Sequence, residues 1–139
     1  MQSQSQTILV IDDDVIALDI MSYVLHTAGY RMLVAEDGES GIRRAEFARP
    51  DLILLDVMMP GIDGFGVASA LRANPRTRHI PIILLTCLGD EDSIIKGFRI
   101  GVDDYAIKTT RHEKLLLKIK NQLTSRRHDR LQHHFLHAL

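Results

Sequence analysis

The chain has a single cysteine, Cys87, four prolines and no tryptophan among its 139 residues. One thiol excludes a disulfide framework and is natural in a reducing compartment. Residues 1–6 contain neither a basic nor an apolar region, so no signal peptide is predicted. No apolar run approaches the roughly 20 residues that a membrane-spanning helix needs. The composition therefore predicts a cytoplasmic protein that does not act in a membrane.

A net charge of −1 conceals two segments of opposite sign. Residues 1–107 hold 9 Lys/Arg against 16 Asp/Glu, a net of −7, whereas residues 108–139 hold 8 against 2, a net of +6. A basic terminal segment can bind nucleic acid, but alternating charges on an exposed helix are the commoner explanation. Nucleic acid is therefore not the expected partner of this segment.

Strand-like and helix-like stretches alternate five times, within a length that suits one domain. This alternation predicts an α/β fold in which helices cover both faces of a parallel sheet. The predicted strands are Thr7–Ile11, Arg31–Ala35, Leu52–Leu55, Ile82–Leu85 and Tyr105–Ile107. The predicted helices run from near Asp14 to Gly29, from near Asp37 to before Pro50, from Phe65 to Asn74, from Asp90 to Gly101, and onward from Glu113.

Carboxylates follow two of the predicted strands directly. Ile8–Ile11 leads into Asp12-Asp13-Asp14, and Leu52–Leu55 leads into Asp56. If these strands are parallel neighbours, their carboxyl ends meet at the edge where open α/β sheets keep their sites. Like charges so close are costly unless a cation intervenes, and a hard divalent metal is the cation that carboxylate oxygens suit. The alternative is that the three aspartates only cap the first helix, a role that we assign to Asp14.

Four separated blocks of this sequence resemble the receiver domain of two-component response regulators. They are Ile8–Asp14, Asp51–Gly64, Pro81–Thr86 and Gly101–Lys108, and the resemblance covers about residues 7–123. It implies a flavodoxin-like, doubly wound sheet of five parallel strands in the order 2-1-3-4-5, as in chemotaxis regulators. It also implies a phosphoprotein of a phosphorelay, which catalyses at most its own phosphorylation and dephosphorylation.

The resemblance implies a role for each residue of the acidic cluster. Asp56 matches the phosphoacceptor, which takes a phosphoryl group from a histidine kinase or a phosphotransfer protein. Asp13 matches a direct ligand of Mg²⁺ or Mn²⁺, and Asp12 matches a residue that acts on the metal mainly through water. The carbonyl of Met58 falls where the family uses a backbone oxygen as a further ligand, and Asp56 itself completes the metal site.

Three further residues match functional positions at the ends of later strands. Thr86 would hydrogen-bond a phosphoryl oxygen, and Lys108 would neutralise one, although an isolated lysine is usually solvated surface. Tyr105 would turn inward when Thr86 moves toward the phosphate, or would simply pack at a strand edge. The chain departs from the family at Cys87, where a smaller residue is usual, and at Thr109, where proline is usual.

Other residues near these positions carry structural predictions. A Lys108–Thr109 bond would cost about 3–4 kcal/mol in the cis form, so a trans bond is predicted. Asp103 and Asp104 are predicted to form a surface turn before the fifth strand.

The chain is predicted to divide into a receiver domain, residues 1–123, and a helical extension or linker, residues 124–139. Leu116, Ile119 and Leu123 would face the sheet, and apolar residues continue beyond them at helical spacing at Leu131, Phe135, Leu136 and Leu139. The extension would serve as a linker, as a dimerisation helix or as a frayed tail. Since the pattern stops abruptly, a missing output region is expected, and a homodimer could form through this helix or through the fourth and fifth helices.

Two other functions remain as alternatives. An aspartate-nucleophile phosphatase also combines a strand-end Asp with Thr and Lys, but here residues 12–14 pass directly into a helix and leave no room for a flap. An unphosphorylated scaffold would keep the fold without the chemistry. The complete set of Asp12, Asp13, Asp56, Thr86 and Lys108 argues against the scaffold.

Overall fold

The computed structural model describes the backbone of residues 5–87, 90–108 and 110–138, and side chains in the last helix as far as Ser125. Five parallel strands form one sheet in the order β2-β1-β3-β4-β5, as predicted. The elements are β1 (Thr7–Ile11), α1 (Val15–Thr27), β2 (Arg31–Ala35), α2 (Gly38–Ala48), β3 (Leu52–Asp56), α3 (Gly64–Ala73), β4 (Ile82–Thr86), α4 (Glu91–Ile100), β5 (Asp104–Ile107) and α5 (His112–Ala138).

The central strands β3 and β4 are apolar except for their last residues, Asp56 and Thr86, because helices cover both of their faces. All five residues of β3 and all five of β4 are buried. Continuous apolar runs are typical of such strands, whereas strands with one wet face alternate. The register pairs Ile11 with Leu55 and Asp56 with Leu85, so the carboxyl ends of β1, β3 and β4 lie side by side.

Two apolar layers fill the space above and below the sheet. One contains Leu9 and Ile11 of β1 together with residues of α2 and α3. The other contains Ile8 and Val10 together with residues of α1 and α5. Alternate residues of the same strand therefore enter opposite layers, which is the pattern that a strand between two layers of helices requires.

The predicted ends of the first helix agree with the structure. The Asp14 side chain accepts hydrogen bonds from the backbone N–H groups of Ile16 and Ala17, at 3.0 and 3.3 Å. It thereby satisfies two donors that the first helical turn leaves unpaired. Gly29 follows α1 with a φ of 90°, a left-handed conformation that glycine adopts without a Cβ penalty.

Helix α5 has 27 residues and continues to Ala138, so the predicted continuity of the fifth helix holds that far. At 1.5 Å per residue its length is about 40 Å. Three residues of this helix are buried against the sheet: Leu115, Ile119 and Leu123. Leu116 is partly buried and packs on the same apolar layer, the one that contains Ile8 and Val10. Leu116 was predicted to face the sheet, whereas the burial of Leu115 was not predicted.

Some sequence predictions fall outside the described residues. Thr109 is not described, so the Lys108–Thr109 bond stays a prediction. The side chains of Leu131, Phe135 and Leu136 and the whole of Leu139 are not described either, so the packing of these residues stays a prediction as well. Within the described part of the chain, none of the helices is both long enough and apolar enough to cross a membrane.

Candidate functional site

Three carboxylates meet at the carboxyl ends of β1 and β3. Oxygen atoms of Asp12, Asp13 and Asp56 all lie within 4.8 Å of one another. Asp12 is 2% exposed and Asp56 3%, whereas Asp13 is exposed. The strand ends predicted from the sequence therefore do converge, and two of the three charges are removed from water.

Lys108 supplies the positive charge nearest to the two buried carboxylates. Its Nζ lies 3.1 Å from Oδ2 of Asp12 and 3.3 Å from Oδ2 of Asp56. The lysine directly follows β5, and its backbone N–H donates to the carbonyl of Thr86 at 2.8 Å. This bond extends the β4–β5 pairing by one residue and directs the long side chain to the acidic cluster rather than to solvent.

The electrostatics of the cluster leave Asp56 poorly stabilised as an anion. Burial, together with the negative charge of Asp12, raises the pKa of Asp56 to about 6, although Lys108 and the N–H of Met58 oppose the shift. Burial disfavours the charged form of Lys108, but its hydrogen bond to Asp12 and the charge of Asp56 outweigh that effect. The pKa of Lys108 therefore lies above its ordinary value. One ammonium does not compensate three carboxylates.

The donor set fits a divalent cation. Its oxygens are hard ligands at a partly open position, and three carboxylates close together with one ammonium would favour further positive charge there. A neutral or anionic group would meet uncompensated carboxylates instead. On the chemistry of the residues present, the cluster is a candidate metal centre.

The backbone after Asp56 is fixed tightly against the site. The N–H of Met58 donates to Oδ1 of Asp56 at 3.3 Å, while the Met58 side chain is 71% exposed. A Cβ at Gly64 would collide with the carbonyl oxygen of Asp56, so only glycine permits α3 to start here. The loop between β3 and α3 therefore holds the Met58 backbone N–H against Asp56, and the role of the Met58 carbonyl as a metal ligand stays a prediction.

Thr86 and Tyr105 lie on the same face of the sheet. Tyr105 pairs with Leu84, and Thr86 follows Leu84 by two residues, which is the repeat of one sheet face. Thr86 is 8% exposed at the end of β4, next to the strand that carries Asp56. The position that the sequence assigned to a phosphate-binding hydroxyl is therefore adjacent to the acidic cluster.

The Tyr105 ring packs on residues of two helices. Its centroid lies 6.2 Å from that of Phe98 in an edge-to-face arrangement, and Nζ of Lys118 lies 5.3 Å from the ring centroid. Lys118 also reaches both carboxylate oxygens of Asp104, at 3.2 and 3.3 Å. Tyr105 is thus part of a cluster that joins α4, β5 and α5.

The predicted surface turn at Asp103 and Asp104 was wrong. Oδ2 of Asp103 accepts from Nη2 of Arg72 at 2.8 Å and from the N–H of Ile82 at 2.9 Å. Asp104 is the first residue of β5 and pairs with Lys118. These partners are distant in sequence, so the local Asp-Asp pattern held no signal of them.

Cys87 follows Thr86 directly and is exposed. It lies beside the end of β4, where a residue larger than the family's usual one would narrow access to Asp56; this effect is a prediction.

Comparison with known proteins places the chain in a family. A family model described as the response regulator receiver domain matches residues 8–120. The DNA-binding dual master transcriptional regulator RpaA of Synechocystis sp. is 44% identical over 124 residues, which are 89% of this chain and 51% of that protein. The chain thus spans about half the length of this relative.

Solved structures agree with this match. A putative response regulator from Chloroflexus aurantiacus superposes with a TM-score of 0.84 at 35% identity, over 87% of this chain and 99% of that one. The receiver domain of the sensor histidine kinase PA1611 from Pseudomonas aeruginosa, with a magnesium ion coordinated in its active-site cleft, gives a TM-score of 0.81 at 28% identity. It covers 87% of this chain and 99% of its own. The chain therefore belongs to the response regulator receiver domains.

Proposed function

We propose that this chain is a phosphorylation-dependent signalling switch whose phosphoacceptor is Asp56. The observation that carries the proposal is the buried pair of Asp12 and Asp56, held with exposed Asp13 at one sheet edge and bridged by Lys108. A histidine kinase or a phosphotransfer protein would supply the phosphoryl group. The acceptor role rests on Asp56 ending the central strand β3, beside Asp12 and Lys108.

The transfer moves one phosphoryl group between two side chains. A carboxylate oxygen of Asp56 attacks the phosphorus of a phosphohistidine, the P–N bond breaks, and the imidazole leaves. The product is an acyl phosphate, which water later hydrolyses to the carboxylate and inorganic phosphate. Lys108 would neutralise one phosphoryl oxygen and the Thr86 hydroxyl would donate to another.

The metal ligands in this proposal are the carboxylates of Asp12, Asp13 and Asp56 and the carbonyl of Met58. Mg²⁺, or Mn²⁺, would lower the repulsion between the anionic carboxylate and the anionic donor. The PA1611 receiver domain, which is similar in structure to this chain, has a magnesium ion coordinated in its active-site cleft, and this similarity supports the assignment. In this chain the geometry supports it independently, because three carboxylates meet with one ammonium beside them.

The output of the switch would be a change in the surface formed by α4, β5 and α5, with Thr86 and Tyr105 as the moving residues. Residues 1–123 would form the receiver and residues 124–139 a linker or dimerisation helix. A homodimer could form through that helix or through the α4–β5–α5 surface. Because RpaA is described as a DNA-binding regulator and is about twice as long, an output region would account for the difference. We propose no nucleic-acid contact for this chain itself.

Intact mass spectrometry tests the acceptor. Wild type incubated with magnesium and acetyl phosphate should gain one acid-labile phosphoryl group, and Asp56→Asn should gain none. Asp19→Asn, an exposed carboxylate on α1, is the matched control and should be labelled like wild type. Asp13→Ala should fold normally but lose most of the benefit of magnesium.

The possible failures have distinct meanings. Equal labelling of wild type and Asp56→Asn would remove Asp56 from the acceptor role. No labelling of wild type by acetyl phosphate or by a phosphorylated phosphotransfer protein would favour the scaffold. Continuous release of phosphate from a small phosphate ester would favour the phosphatase.

A further inference from the structure

Lys118 occupies a position that links α5 to the proposed switch residue. Its ammonium lies within 3.3 Å of both carboxylate oxygens of Asp104 and 5.3 Å from the centroid of the Tyr105 ring. The side chains of this ion pair are each about one-quarter exposed, so the ammonium is fixed in place yet only partly hydrated. The lysine therefore contacts two consecutive residues of β5, Asp104 and Tyr105.

A residue of α4 also contacts the Tyr105 ring. Phe98 of α4 meets Tyr105 edge to face, with an interplanar angle of 84°. Phe98 itself is 45% exposed, and Gly97 is the one buried residue of α4. The contact between Phe98 and Tyr105 therefore links α4 to β5.

We propose that Lys118 is a positioning residue for Tyr105, which favours the ring position of the unphosphorylated chain and thereby opposes activation at Asp56. This inference rests on the proposed function, because it deepens the regulation of the same site. A ring that turns towards Thr86 leaves the ammonium of Lys118 and the edge contact with Phe98. Lys118 itself stays bound to Asp104. The free energy of the lost ammonium–ring contact therefore opposes the turning of the ring.

The expected size of the bias is modest and measurable. A cation–π contact at a partly exposed site corresponds to on the order of a two- to fivefold change in an equilibrium constant. A ligand that binds only the activated conformation gains apparent affinity by the same factor when that conformation becomes more populated. Removing the ammonium should therefore tighten binding of an activating ligand about two- to fivefold.

The test uses the whole chain with magnesium and beryllofluoride, an inorganic mimic of the phosphoryl group. Lys118→Met keeps most of the aliphatic stem and removes the charge, whereas Lys118→Arg keeps the charge and both contacts. Lys120→Met, on an exposed position of the same helix, is the matched control. Two quantities are measured: the NMR shifts of the Tyr105 ring without ligand, and the half-saturating concentration of beryllofluoride.

The proposal predicts a pattern across the variants. In Lys118→Met the Tyr105 shifts should move toward those of the beryllofluoride-bound wild type, and half-saturation should fall two- to fivefold. Lys118→Arg and Lys120→Met should match wild type in both measurements. If Lys118→Met does not fold, Phe98→Leu, which removes the other contact of the ring, should show the same two changes.

Unchanged ring shifts in Lys118→Met, or moved shifts with unchanged half-saturation, overturn the proposal while the acceptor role of Asp56 stands. Equal changes in Lys120→Met would also overturn it, because the effect would then be one of general charge. A wild type that does not bind beryllofluoride overturns both this inference and the proposed function.

Discussion

Replacing Asp56 by asparagine should stabilise the folded chain at neutral and alkaline pH. The substitution keeps the shape of the side chain and removes a charge that the fold holds unfavourably. Asp56 is 3% exposed, and its pKa is raised to about 6 by burial and by the charge of Asp12. An unfolded aspartate titrates near 3.9.

The pH dependence follows from these two pKa values. Below about pH 4 the carboxyl group is neutral in both the folded and the unfolded chain, so its charge costs the fold nothing. As the pH rises from about 4 through about 6, the unfolded chain ionises first, and the folded state loses stability relative to it. A shift of roughly two units corresponds to about 3 kcal/mol, at 1.36 kcal/mol per unit. Because local relaxation and entering water reduce such costs, we expect a gain of about 1–3 kcal/mol for Asp56→Asn at pH 8.

Urea unfolding of wild type and Asp56→Asn at pH 4, 6 and 8, in a chelator and at low salt, measures this difference. The stability gap should be about 0.5 kcal/mol at pH 4, where the unfolded carboxyl group is half ionised, and should grow to its full value above pH 6. Asp19→Asn removes an exposed charge and should change stability by less than about 0.5 kcal/mol throughout. A gap that is absent at pH 8, or of equal size at pH 4, would refute the electrostatic reasoning.

Three further measurements address other parts of the structure. Lys108→Met should destabilise the chain by about 3 kcal/mol at pH 8, because two buried carboxylates lose their counter-charge. The loss should be smaller at pH 4, where Asp56 is neutral, and a loss independent of pH would contradict this. Arg72→Met should cost about 3 kcal/mol in urea unfolding, since Arg72 bridges three backbone carbonyls and one carboxylate, whereas exposed Arg76→Met should be nearly neutral. Removal of residues 124–139 should change the unfolding free energy of the receiver by less than about 0.5 kcal/mol. It should also lower the helix signal in circular dichroism and the self-association seen in sedimentation. If both chains are monomers with equal helix signal, the dimerisation role is contradicted.

Local patterns predicted the strands well because burial on both faces imposes an apolar run of about the right length. β3 extends one residue beyond the predicted Leu52–Leu55, because Asp56 still pairs with Leu85 of β4. The choice between Leu115 and Leu116 could not be made in this way. Three consecutive leucines begin at Leu115, and successive residues of a helix point about 100° apart, so the pattern alone does not say which one faces the sheet.

Contacts between residues that are distant in sequence could not be predicted from the sequence. The residues next to Asp103 in the sequence are typical of a turn, yet its carboxylate accepts a hydrogen bond from Arg72, 31 positions earlier. Lys118 reads as one basic residue among several on α5, and only the fold places it over Tyr105. Pairings of this kind are set by which elements become neighbours in the sheet, and no short motif encodes that.

The stability cost and the proposed chemistry of the site have one physical origin. Burial that raises the pKa of Asp56 also removes the water that would otherwise screen the cluster from an incoming cation. A divalent cation at the three carboxylates should therefore restore the ionised form of Asp56, which is the form that can attack a phosphoryl group. A ligand that binds only the folded state stabilises it in proportion to the logarithm of its concentration. Magnesium should thus raise the stability of wild type at pH 8 and close the gap to Asp56→Asn, whose site has lost one ligand charge. If magnesium stabilised both chains equally, the cation would be bound elsewhere, and the acidic cluster would owe its arrangement to Lys108 alone.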